Sequence, residues 1–82
     1  MSTTRDEFVE HIVSLVSSAI GIPGDEIDVR DSFTSYGLDS MAAVSIAGSL
    51  EAIVGAKLPS TLLWDYPSTD ALADRLVELT RR

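Results

Sequence analysis

Ser40 follows the run Gly37-Leu38-Asp39 and precedes Met41, where a turn-rich connection gives way to an apolar helical pattern. A glycine at 37 permits backbone conformations closed to other residues. A serine at a helix start presents its hydroxyl beside backbone N–H groups that have no partner within the helix. A phosphate on that oxygen would meet the positive end of the helix dipole. The position suits a serine that carries a phosphodiester. The residues alone favour an ordinary N-cap serine after a glycine turn, because glycine-x-x-serine is a common run. Other candidate chemistry is sparse. His11, the one histidine, lies beside Ile12 on an apolar stripe and reads as a surface or boundary residue, not as an acid/base group. Asp25, Glu26, Asp28 and Asp31 lack the ligand spacing of a calcium loop and read as a solvated acidic loop. The absence of cysteine excludes a thiolate metal site, a cysteine nucleophile and a disulfide scaffold.

The chain has 82 residues, 45% of them hydrophobic, enough for one small domain spanning 1–82 with a folded core at about 4–80. Thirteen acids against six Lys and Arg give a net charge of −7. That balance disfavours nucleic acid and anionic membranes, and favours basic patches on other proteins. No apolar run reaches the length of a membrane span, and residues 1–7 lack the apolar core of a signal peptide. A cytoplasmic location with no membrane span is the expectation.

The elements that must position Ser40 are helical. Phe8, Ile12, Leu15, Val16 and Ala19 share one face of a helix at about 4–19, with Thr3 or Thr4 as N-cap and Gly21 and Pro23-Gly24 as its stop. Residues 20–39 make a long connection rich in turn formers. It also contains Ile22, Ile27, Val29, Phe33, Tyr36 and Leu38, so it should pack against the core. A second helix starts near Ser40, with Val44, Ala47, Leu50 and Val54 as its stripe, widened by Ile46 and Ile53, and Gly55 just past its end. Ser60 can cap a short helix at 60–65, and Ser68 a last helix at about 69–80 with Leu72, Leu76 and Leu79 inward. Arg81 and Arg82 suit that helix's C-terminal dipole. No strand is expected. The fold class is all-α: a small four-helix bundle of three main helices and one short one, with a long loop between the first two.

Gly37-Leu38-Asp39-Ser40-Met41 resembles the attachment motif of acyl carrier proteins. Asp31-Ser32-Phe33 resembles that family's acid-x-aromatic segment. Thr61-Leu62-Leu63-Trp64-Asp65-Tyr66-Pro67-Ser68 resembles a run found in polyketide-synthase carriers, and Ala71-Leu72-Ala73 with Leu76 matches the last helix. The resemblance covers most of residues 8–79. It implies that a phosphopantetheinyl transferase, with magnesium, directs the Ser40 hydroxyl onto the pyrophosphate of coenzyme A. A 4′-phosphopantetheine arm is then left on Ser40 within the Gly37, Leu38 and Asp39 motif. Acyl groups would ride on the arm's thiol as thioesters, and the chain itself would catalyse nothing. This also accounts for a chain without cysteine, since the reactive sulfur comes with the cofactor.

Leu38-Asp39 before the serine resembles acyl carriers, whereas peptidyl carriers usually show two glycines. The Leu63-Trp64-Asp65-Tyr66-Pro67 version also resembles carriers loaded by a fatty acyl-AMP ligase; an acyltransferase is the other loading partner, and a ketosynthase or other synthase domain the receiver. The expected carrier is a monomer. Ala42 and Ser45 stand where the family often has acids, and Glu51 is the one acid between residues 40 and 56. Partners are therefore expected to read Asp25 and Asp28 of the loop plus an apolar patch at Met41 and Ala42. Val44, Ile46, Leu50 and Leu63 are candidates to line a shelter for an acyl chain, but plain core is their favoured role, and Trp64 is expected partly buried in the bundle. The competing readings are a peptidyl or aminoacyl carrier, a cofactor-free helical interaction module, and, last, a minimal hydrolase using Ser40 and His11.

Overall fold

The computed structural model describes residues 5–80. Four helices follow in order: α1 (Arg5–Ile20), α2 (Ser40–Val54), the single-turn α3 (Leu62–Asp65) and α4 (Thr69–Thr80). Two short 3-10 turns, Gly24–Glu26 and Phe33–Tyr36, lie in the long connection. The expected caps at Thr3 or Thr4, and the pair Arg81 and Arg82, fall outside the described residues.

α1 buries Phe8, Ile12 and Val16, one residue per turn, so one stripe faces the core. Leu15 packs at the edge of that stripe, and Ala19, expected on it, is exposed. α4 answers with Leu72, Ala73 and Leu76. Arg5 ties the two helices at one end: its Nε donates to Asp74 Oδ1 at 2.6 Å and its Nη2 to Asp70 Oδ1 at 2.9 Å. The Asp74 bond first, then that to Asp70, raises the guanidinium above its ordinary pKa.

α2 buries Ala43, Ile46, Ala47 and Leu50. The two alanines let its backbone approach the other helices closely. Val44, expected inside, is instead 50% exposed. The buried stripe is rotated by one position because Ala43, not Val44, turns inward with Ile46, Ala47 and Leu50. At the end of α2, Gly55 takes the left-handed conformation (φ 71°) and its N–H closes on the Glu51 carbonyl, as expected of a C′ glycine.

The long connection is part of the core. Ile27, Phe33 and Leu38 are buried within it. It is stitched to the start of α4: Phe33 N donates to Pro67 O at 2.7 Å and Asp70 N to Val29 O at 2.9 Å. Ser32 and Ser68 form one isolated antiparallel bridge there, and no strand occurs among the described residues. Ser68 caps α4 as expected, its Oγ accepting from Ala71 N at 3.2 Å. The short helix differs from expectation. It begins at Leu62, with Thr61 rather than Ser60 at the cap position and no side-chain cap bond. Leu62 and Leu63 point into the core, while Trp64 is 41% exposed.

Candidate functional site

The site is built where the connection enters α2. The Phe33–Tyr36 turn ends on Gly37, whose φ of 83° lies in the left-handed region. A side chain there would strain the backbone. Leu38 then drops into the core at 4% exposed, with its N–H donating to Phe33 O at 3.4 Å. With Leu38 anchored, Asp39 and Ser40 are carried to the surface, where both are exposed. Leu38 thus acts from beneath, as a plug that fixes the height of the turn.

Ser40 is not the N-cap. Asp39 is: its backbone is extended (φ −95°, ψ 175°) and its side chain accepts from Ala42 N at 2.8 Å. Its carbonyl takes the first helical bond, from Ala43 N. Ser40 is the first residue of the helix proper. This correction by one residue matters chemically. The cap duty falls on a carboxylate, and the Ser40 hydroxyl enters no hydrogen bond among the described residues. The N–H groups of Ser40 and Met41 likewise have no partner there. An exposed hydroxyl, two open N–H donors and the positive end of α2 lie together, a setting that accommodates a phosphate ester on Ser40. Loss of the cap through Asp39→Ala should cost about 1 kcal/mol of stability, read from urea unfolding, and leave the hydroxyl in place. Either Asp or Ser makes a good N-cap, so the sequence left the cap ambiguous between adjacent residues.

Beside Ser40 lies an apolar surface. Met41 is 83% exposed and Val44 half-exposed. With Ser40 they line a shallow depression of about 300 Å³. Ala42 is half-buried beside them. Asp25 and Asp28 are both exposed. Asp28 is braced to the loop ahead of the site. Its N–H donates to the Tyr36 hydroxyl at 2.6 Å, and its Oδ1 accepts from Arg30 N at 2.9 Å. Tyr36, expected to pack against the core, does so and also braces the loop just before Gly37 through its hydroxyl. Among the described residues no hydrogen bond or ion pair joins Asp25 to the Ser40 end of α2. His11 is exposed on α1. Leu50 and Leu63 are buried and line none of the surface grooves along α2, in keeping with the favoured plain-core role, while Val44 is half-exposed. Among the described residues no three His, Cys, Asp or Glu side chains converge to hold a metal ion. None of the described helices is long and apolar enough to cross a membrane.

A four-helix fold that presents an exposed serine at the start of a capped helix has the layout of an attachment domain. The family described as phosphopantetheine attachment site matches residues 10–76. The chain is 38% identical over 76 residues to erythronolide synthase EryA2 of Saccharopolyspora erythraea, covering 87% of this chain and 2% of that protein. It is 33% identical over 81 residues to the pikromycin polyketide synthase component PikAII of Streptomyces venezuelae, covering 92% and 2%. Among solved structures, a free-standing peptidyl carrier protein from Acinetobacter baumannii superposes with a TM-score of 0.87 at 42% identity, covering 90% of this chain and 92% of that one. An A1-type ACP domain from module 5 of MLSA1 superposes with a TM-score of 0.81 at 29% identity, covering 92% and 76%.

The chain belongs to the phosphopantetheine-attachment family. It is a carrier domain, non-catalytic as its family is, and its cofactor is a covalently attached 4′-phosphopantetheine arm. It spans only 2% of the length of each of the two synthases.

Proposed function

We propose that Ser40 is the attachment residue and that the chain carries acyl intermediates as thioesters for polyketide or related fatty-acyl biosynthesis. The observation that carries this reading is the exposed Ser40 hydroxyl on the first turn of α2, beside the open N–H groups of Ser40 and Met41. The arm supplies a terminal thiol on a long tether. The protein's own residues do the rest. Gly37 turns the chain, Leu38 anchors it, Asp39 caps the helix, and Ser40 offers the ester oxygen to a phosphopantetheinyl transferase. Relatives that are polyketide synthases favour acyl cargo, loaded by a fatty acyl-AMP ligase or an acyltransferase and passed to a ketosynthase or another synthase domain. The carrier works as a monomer in the cytoplasm.

The test is intact mass after incubation with coenzyme A, magnesium and a broad-specificity phosphopantetheinyl transferase. The expected result is a gain of one phosphopantetheine. A folded protein with no gain contradicts the proposal and favours a cofactor-free interaction module.

One observation favours a second reading, a peptidyl carrier: the 42% identity to a free-standing peptidyl carrier protein. Loading the modified protein with aminoacyl against fatty-acyl or malonyl-type groups separates the two.

Partners that must leave after each transfer need small interfaces steered by charge. We assign the partner surface to Met41 and Ala42, with Asp25 and Asp28 as the steering acids. Asp25→Lys and Asp28→Lys should each weaken transferase binding about fivefold at low salt, with the loss fading as salt is added. Glu51 is the control, as Glu51→Gln, because its Oε2 accepts from Leu58 N at 2.8 Å and a glutamine can keep that bond. A loss at Glu51 with none at the two aspartates refutes the assignment.

A further inference from the structure

A groove of about 410 Å³ runs between α1 and α2. Ser18 and Ala19 of α1 form one wall, and Ala42, Ser45 and Ser49 of α2 the other. Met41 also lines it, and Met41 lines the depression that holds Ser40. The two spaces therefore share one wall, a flexible, highly exposed thioether side chain. From Met41 to Ser49 the groove follows α2 for about 12 Å at the rise of an α-helix.

The lining of this groove is specific in chemistry. None of its residues ionises, which is unusual on a chain of net charge −7. Three of them, Ser18, Ser45 and Ser49, carry hydroxyls; the other five, Leu15, Ala19, Met41, Ala42 and Ile46, are apolar. A bare alkyl chain would meet the five apolar residues but leave the three hydroxyls without a partner. A basic peptide would find no acid, and an acidic one no base. A neutral strand that alternates amides and a hydroxyl with short apolar groups meets both kinds of lining. The pantetheine portion of the arm has that composition, and an arm on Ser40 starts beside Met41.

We propose that the α1–α2 groove holds the pantetheine portion of the chain's own arm, laid back from Ser40 across Met41. The proposal rests on Ser40 being the attachment residue. The arm amides meet the Ser45 and Ser49 hydroxyls on α2 and Ser18 on α1, and the acyl thioester at its tip stays outside the core.

The test compares backbone amide spectra of the ¹⁵N-labelled protein before and after modification, with intact mass confirming one phosphopantetheine. Shift changes are expected beyond the attachment turn: at Ser45 and Ser49, and across the groove at Ser18 and Ala19. Contacts between the arm's paired methyl groups and Ala19 or Ser45 should appear in nuclear Overhauser spectra. Ser45→Leu fills the groove at an exposed position and should abolish the α1 changes while the mass gain stays normal. Changes confined to residues 38–44 in a fully modified sample overturn the proposal, as does their persistence on α1 in Ser45→Leu. Absence of the mass gain overturns the Ser40 assignment instead, so the two failures are distinct.

Discussion

Ser40→Ala should accept no phosphopantetheine and carry no acyl group, while unfolding at nearly the wild-type midpoint. The loss is all-or-none because the ester oxygen is the atom removed. Two observations argue that the fold is spared. The helix cap is the Asp39 carboxylate, bonded to Ala42 N at 2.8 Å, so the substitution leaves it intact. The Ser40 side chain is exposed, and alanine is the best residue for a helix interior. The stability change should stay within about 0.5 kcal/mol, as for surface positions without a special role. Intact mass and a thermal melt on the same sample read both quantities. Mass gain retained in Ser40→Ala would place the arm elsewhere. Paired with Asp39→Ala, the variant separates two duties that adjacent residues divide between them: one gives up chemistry and keeps stability, the other does the reverse.

A large stability loss is expected at Phe33. Its ring is 1% exposed, although it belongs to a connection and not to a long helix. Truncation to alanine removes a fully buried aromatic and leaves a cavity, a change that costs about 3–5 kcal/mol. A domain of this size has only about 5–10 kcal/mol of stability in total. Phe33→Ala should therefore lose from about a third to nearly all of it, read as a large fall in the urea midpoint. The site should suffer with the fold, because Phe33 N holds Pro67 O and Phe33 O receives Leu38 N, two residues before Ser40. Modification of Ser40 should fall with the folded fraction. A cost below about 1 kcal/mol would mean that the connection is an ornament on three helices, contrary to its buried Ile27, Phe33 and Leu38.

Much of this architecture was legible in the residues alone. The spacing of Phe8, Ile12 and Val16 marks a helix because a 3.6-residue period is local, and Gly21 and Gly55 mark helix ends because only glycine adopts their positive φ cheaply. The Gly37-to-Met41 run and the order of the later motifs pointed to a carrier, and the family match bears that out. The start of α2 at Ser40 was legible, but the residue that caps it was not. Asp39 and Ser40 are equally good caps, and only the path of the backbone decides which of them turns its oxygen toward Ala42 N. The exposure of Val44 was not legible either, since an apolar residue at the margin of a stripe goes in or out according to the rotation of the helix against its neighbours. Least legible was the long connection. Its apolar content announced that it packs, but its partners are Pro67 and Asp70, far along the chain. The sequence already settled that this protein is acidic, helical by its apolar periodicity, and a carrier by its motifs. Tertiary packing decided that Asp39 and not Ser40 caps α2, which apolar side chains stay in water beside Ser40, and what groove runs away from it. Those outcomes depend on contacts between segments tens of residues apart, which no local pattern encodes.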